Sequence, residues 1–143
     1  MSGFNDFNRA MIDEFRAKKG KGVGRFGDRL LLLTTTGAKS GTVRTTPIAY
    51  TRDGDRYVIV ASKGGAPTNP AWYHNLRAHP EVTIEVGGDE VRVRARPVKN
   101  VERDRLYARH AEVLPMFREY PKKTSRVIPV VVLEPLEGQR RLR

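Results

Sequence analysis

The sequence predicts an α+β fold in which about six antiparallel strands close into a small barrel, with an N-terminal helix and two further helices packed on it. Two observations predict it. Strand-like segments are joined by the short turns Gly37-Ala38-Lys39-Ser40-Gly41, Asp53-Gly54 and Gly87-Gly88, and such turns connect antiparallel strands, because a parallel pair needs a long crossover. No GxGxxG follows a strand, which argues against a dinucleotide-binding parallel sheet. At 143 residues, 38% hydrophobic and 30% charged, the chain is expected to form one domain over residues 1–143, with 1–28 as helix and basic glycine loop. Any functional site must then be built within that one domain.

The elements follow in order. Phe4, Phe7, Met11, Ile12 and Phe15 recur at three- and four-residue steps, which predicts an amphipathic helix to Lys18, with Ser2 or Asn5 available as its cap. Gly20, Gly22, Gly24 and Gly27 break that period, so Lys19 to Arg29 reads as a mobile basic loop; its glycines lack the Walker spacing. Leu30 to Thr36 is a compact apolar and β-branched run, paired through the first glycine turn with a strand from Val43 to Thr51. Asp53-Gly54 turns the chain into a third strand, Arg56 to Ala61. Asn69 is placed to cap a short helix that starts at Pro70 and runs to about Ala78. Val82, Ile84 and Val86, then Val91, Val93 and Ala95, alternate with polar residues and form a second hairpin. A helix over Val101 to Val113 and an apolar strand from Val127 to Leu133 complete the series.

Composition narrows the chemistry. Cysteine is absent, which excludes disulfides, thiolate nucleophiles and cysteine-based metal centres. The three histidines, His74, His79 and His110, have no metal-binding spacing, so no metal site is expected, and any redox chemistry needs a borrowed cofactor. The net charge of +11 calls for an anionic partner: nucleic acid, an acidic membrane surface, or a polyanionic small molecule. Aromatic residues are few and not interleaved with the basic ones, which argues against nucleic acid. No apolar run approaches the roughly 20 residues that span a bilayer, and no signal-peptide core opens the chain, so a cytoplasmic protein is expected, with peripheral membrane contact as a further option. An open barrel edge and the apolar first helix are compatible with a monomer or a homodimer.

Two polar clusters carry candidate chemistry. Around the first turn, Lys39, Ser40 and Arg44 set an ammonium, a hydroxyl and a guanidinium beside free backbone donors, the parts of a phosphate site; the same residues also make an ordinary glycine-closed turn with exposed charges. In the second, Ser62-Lys63-Gly64-Gly65 leads through Asn69 to the helix start Pro70-Ala71-Trp72, whose unpaired amides suit an anion or a polar ring edge. Trp72 reads either as a core anchor or as a cofactor platform.

Taken together, Thr34-Thr35-Thr36-Gly37-Ala38-Lys39-Ser40-Gly41, the stretch Arg44 to Pro47, Ala61-Ser62-Lys63-Gly64-Gly65 and Asn69-Pro70-Ala71-Trp72-Tyr73-His74-Asn75-Leu76 resemble the deazaflavin-dependent nitroreductases, also called the coenzyme F(420)-dependent quinone reductases. The Asn8 to Phe15 helix and the closing Arg126 to Val131 stretch look like family features as well. The resemblance implies a split β-barrel related to FMN-binding proteins, and a hydride passed from the reduced coenzyme to a quinone, nitro compound or other electron-poor molecule. It implies that Lys39, Ser40 and Arg44 hold the phosphate and polyglutamate side of the coenzyme. Ser62, Lys63 and Gly64 with Asn69, Pro70, Ala71 and Trp72 would line the ring, and Thr46, Pro47 and Asn75 complete the implied cofactor set. Tyr120 matches a tyrosine lining the acceptor pocket, with Ser62 as a second donor, whereas Phe117 stands where a nitroreductase of the family carries another tyrosine. An FMN-dependent barrel enzyme and a non-catalytic deazaflavin carrier are the alternatives.

Overall fold

The structure is a computed structural model that describes residues 3–136, without the side chains of residues 3–7 and 25. The expected caps Ser2 and Asn5, the apolar Phe4 and Phe7, and the basic tail at Arg140, Arg141 and Arg143 therefore lie outside the described residues or side chains.

Four consecutive leucines open the first strand, β1 (Leu30–Thr36), and all four are buried. Side chains on a strand alternate between faces, so a run buried throughout requires cover on both. Leu31 and Leu33 enter the interior cluster with Tyr73 and Leu76 of helix α2 (Ala71–Ala78). Leu30 and Leu32 pack on the other side with Val23 and with Phe15 of helix α1 (Gly3–Lys18). Phe15 is 1% exposed, and truncating such an aromatic to alanine typically removes about 3–5 kcal/mol. Strands β4 (Arg56–Val60) and β7 (Val130–Pro135) repeat the arrangement. Tyr57, Ile59, Val131 and Leu133 face the interior, while Val58, Val60, Val130 and Val132 meet Leu106, Tyr107 and Ala111 of helix α3 (Asn100–Val113). Strand β6 (Asp89–Val98), hairpinned to β5 (Glu81–Val86), instead alternates buried Val91, Val93 and Ala95 with exposed Arg92, Arg94 and Arg96.

With β2 (Val43–Ala49) and β3 (Thr51–Asp53), the strands form one antiparallel sheet in the order β2-β1-β5-β6-β7-β4-β3. Strand β7 lies between β6 and β4, paired as Ala95 with Leu133 and Ile59 with Val131. The two edge strands, β2 and β3, are separated by Tyr50 alone, so the sheet curls into a half-barrel whose edges belong to one bent stretch of chain. This corrects the expectation of six strands. The segment read as a single strand from Val43 to Thr51 divides at Tyr50, whose amide donates to the carbonyl of Arg29 at 2.9 Å, and seven strands result among the described residues. Pro47 in β2 has no amide to offer a ladder, which an edge strand tolerates.

Other boundaries also moved. Four one-turn 3-10 segments, at 24–26, 63–65, 115–118 and 120–123, accompany the three α-helices. The stretch Lys19 to Arg29 is folded rather than a mobile loop: Val23 is fully buried and its amide donates to the Gly27 carbonyl at 2.9 Å, and the Gly22 amide donates to Asp28 Oδ1 at 2.9 Å. The last strand starts at Val130 rather than Val127. Arg103 Nε and Nη2 donate to the carbonyl of Ile128 at 3.1 and 3.0 Å, and Pro129 brings no amide, so the ladder cannot begin sooner.

Candidate functional site

A groove of about 1150 Å³ is lined by α1, β2, the loop after β4, the start of α2 and the two turns after α3. Every residue of β2 lines it, and because β2 is an edge strand its outer backbone groups have no neighbouring strand. Arg44, Thr46 and Pro47 therefore share a wall. Ser62, Lys63 and Gly64 form a second, Pro70, Ala71 and Trp72 a third, and Tyr120 with Phe117 a fourth. Ten of the cofactor and catalytic residues expected from the sequence meet here, together with Phe117.

The loop after β4 is conformationally unusual. Lys63, Gly64 and Gly65 take φ of 48°, 64° and 85° in succession. Lys63 has a Cβ and belongs poorly in that region; such outliers concentrate at ligand sites and persist only where the surroundings enforce them. A Cβ added at Gly64 would meet nothing within 4 Å, so glycine leaves groove volume open there. Helix α2 begins beside it with Pro70 as its N-cap residue and no side-chain capping bond, which leaves the first-turn amides of Ala71 and Trp72 available. Trp72 meets both readings at once, packing on the interior cluster and lining the groove.

Four expected cofactor residues are not among the groove-lining ones. Lys39 and Ser40 are exposed on the β1–β2 turn beyond Arg44, where Ser40 Oγ accepts from the Thr42 amide at 3.1 Å. A Cβ at Gly37 would fall 2.4 Å from Ser40 Oγ, so a side chain there would turn the serine hydroxyl away from the Thr42 amide. Asn75 is buried and works as a latch: its Oδ1 accepts from the Ala38 amide at 3.0 Å and its Nδ2 donates to Thr35 Oγ1 at 3.2 Å, tying α2 to the turn. Asn69 does not cap α2, because its Oδ1 is taken by Arg126 Nη1 at 2.6 Å.

Sequence reasoning did not single out Arg9, Ile12 and Phe26, which also line the groove. Nor did it find what supports Tyr120. Phe117 stands edge-on to Tyr120, with centroids 5.1 Å apart, and on its other side meets the ring of His110 at 4.5 Å. His110 is fully buried, with Nδ1 2.8 Å from Thr51 Oγ1, and burial pushes its pKa down to about 4, so the ring is neutral at pH 7. The Tyr107 hydroxyl donates to the Phe117 carbonyl at 2.7 Å, and burial holds that phenol above its usual pKa. The aromatic spacing on α3 was the available signal, but it reads equally as ordinary core.

Comparison with known proteins places the chain in a family. The family model for F(420)H(2)-dependent quinone reductase matches residues 7–135. An F(420)H(2)-dependent quinone reductase of Mycobacterium tuberculosis is 49% identical over 121 residues, covering 77% of this chain and 80% of that protein. The solved structure of an F(420)-H(2) dependent reductase, FDR-A, superposes with a TM-score of 0.69 at 39% identity, over 74% of this chain and 94% of its own. A second solved structure, described as a domain-swapped dimer, gives a TM-score of 0.71 at 35% identity over 92% of this chain and 100% of its own. The heme storage protein HutZ of Vibrio cholerae, at 15% identity and a TM-score of 0.56, shares the fold alone. With its fold and residues 7–135 in agreement, the chain is an oxidoreductase and belongs to the F(420)H(2)-dependent quinone reductase family.

Proposed function

We propose that the groove holds the reduced deazaflavin coenzyme against a quinone, with Arg44, Ser62, Lys63, Gly64, Pro70, Ala71 and Trp72 on the coenzyme side and Tyr120 on the acceptor side. The observation that carries this reading is the convergence of four separated stretches of chain on one cavity large enough for both molecules. The residues fit the coenzyme. The open space at Gly64 admits a flat ring against backbone, the β2 edge and the α2 amides provide hydrogen-bonding partners, and neither Arg44 nor Lys63 belongs to an ion pair of the described residues.

When bound, the reduced deazaflavin supplies the hydride, and the side chains here contain no redox group of their own. Arg44 and Lys63 neutralise anionic groups of the coenzyme. Trp72 gives the ring an apolar surface while its own body stays anchored in the core. Phe26, Ile12 and Phe117 keep water from the acceptor. Tyr120 and Ser62 offer hydroxyl donors to the quinone oxygen on which negative charge develops.

The test is a titration followed through the fluorescence of Trp72, the single tryptophan, with oxidised deazaflavin and in parallel with FMN. Saturable deazaflavin binding at least about 10-fold tighter than FMN is expected, followed by turnover of the reduced coenzyme with a water-soluble quinone. Preference for FMN would move the assignment to a flavin enzyme, and binding without turnover would make the chain a carrier.

A further inference from the structure

We infer that Arg126 is the positioning residue of the groove, the clamp that holds the strained loop after β4 and joins it to the Tyr120 wall. This rests on the proposed use of the groove. Arg126 commits four of its five N–H donors to one loop. Nε donates to the Ala66 carbonyl at 2.9 Å, Nη1 to Asn69 Oδ1 at 2.6 Å, and Nη2 to the carbonyls of Ser62 and Ala61 at 2.9 and 3.3 Å. The contacts span residues 61–69, the stretch that presents Ser62, Lys63 and Gly64 to the groove and delivers the chain to Pro70.

Three features make this a device for position. The loop contains Lys63 at a φ of 48°, a conformation that relaxes unless its neighbours enforce it, and the guanidinium fork grips the backbone on both sides of that residue. All four acceptors are neutral, so the arginine keeps its charge beside the groove while its hydrogen-bonding geometry is consumed by the loop. The loop also seats against the Tyr120 turn: at Gly65 an added Cβ would come 3.2 Å from the Tyr120 carbonyl and 2.9 Å from Lys123 Cβ. Arg126 follows that turn by three residues, so one side chain fixes the coenzyme wall relative to the acceptor wall.

The consequence is a separation of charge from geometry. Arg126→Lys keeps the positive charge but has no fork to span Ala66, Asn69 and Ser62, and Arg126→Gln loses both. Hydrogen exchange of the unliganded protein is expected to show faster exchange in peptides covering 61–69 and 118–124 in both variants, with β1 and β5 unchanged. Trp72 titration of the same proteins with oxidised deazaflavin should show at least a 10-fold weaker Kd in Arg126→Lys, nearly as large a loss as in Arg126→Gln, and partial recovery on adding millimolar methylguanidinium to Arg126→Gln. Leu106→Ala, a core truncation on the buried face of α3, serves as a control that lowers Tm without moving Kd. Unchanged exchange in 61–69 overturns the clamp whatever the ligand does. A Kd loss confined to Arg126→Gln also overturns it and assigns a purely electrostatic role. Local loosening in the two variants, together with a wild-type protein that fails to bind deazaflavin, would instead uphold the clamp and remove the proposed function.

Discussion

Acidification is expected to weaken this protein through one buried ring. His110 is fully buried, contacts Thr51 through Nδ1, and has an Nε2 with no partner, so a second ring proton would sit in an apolar setting against Phe117. Burial lowers its pKa from 6.5 to about 4, whereas in the unfolded chain the imidazole titrates at its ordinary value. A folded-state pKa below the unfolded one gives stability that is complete above about pH 6.5 and declines as the pH falls toward 4, because only the unfolded chain gains the proton in that window. At about 1.4 kcal/mol per unit, the loss between pH 7 and pH 4.5 is about 2.5 kcal/mol, a large part of the roughly 5–15 kcal/mol that a domain has in total. The assay is urea unfolding followed by circular dichroism across that range, for the wild type and His110→Asn. Asparagine places an amide near the position of Nδ1, facing Thr51, and does not titrate. The variant starts lower because its side chain is smaller, but the carboxylates titrate alike in both proteins, so the stability difference between them should shrink by about 2.5 kcal/mol on acidification. Parallel decline of the two proteins would refute the argument and move the acid sensitivity elsewhere.

Three further outcomes are expected. Arg44→Ala should weaken deazaflavin binding by about 1–3 kcal/mol in the Trp72 titration, and Lys39→Ala by less, since Lys39 does not line the groove; equal losses would place the anionic part of the coenzyme out on the turn. Asn75→Ala removes both latch bonds and should lower stability by about 1–3 kcal/mol in thermal melting, and an unaltered Tm would show that the β1–β2 turn stands without α2. Tyr120→Phe should lower kcat for quinone at least about 10-fold while the deazaflavin Kd stays fixed, and an unchanged kcat would leave the acceptor's charge to Ser62 or to solvent.

Much of the fold could be read from local pattern, and the misreadings have physical causes. The β1 run is continuous because both its faces are covered, whereas the Val-Arg alternation of β6 announces a face in water. Tyr50 carries no breaker signal. The strand divides there because the closing sheet demands its two ends on opposite edges, a requirement that arises only once the other strands are placed. Val127, apolar but 75% exposed, was drawn into β7 by composition. At the site, the residues that line the groove through short loops were legible, since Gly64 and Pro70 mark turns and helix starts by their chemistry. Asn69 and Asn75 read from the sequence as cofactor residues; in the fold Asn69 Oδ1 accepts from Arg126 and the Asn75 amide bonds to the β1–β2 turn and Thr35, contacts that depend on partners 57 and up to 40 residues away. The stretch from Arg126 to Val131 stands out in the sequence, but the role of Arg126 does not, for the same reason: nothing in its neighbourhood signals the four acceptors in residues 61–69.

The place of β7 in the sheet has a consequence for how the chain is made. It is the last of the described strands to be synthesised, yet it lies between β6 and β4, so until residues 130–135 leave the ribosome the sheet consists of two unjoined parts. One part ends at an unpaired β6, and the other is β4 held only by the three-residue β3. Joining them is a late, long-range event, slow by its topology, and meanwhile the apolar faces meant for β7 stand open to other nascent chains. The run Val130-Val131-Val132-Leu133 is itself apolar and uncharged, with three β-branched valines, the type of segment that pairs promiscuously. Pro129 and Pro135 bracket it, and proline at the ends of such a run obstructs its stacking with copies of itself until the gap in the sheet receives it.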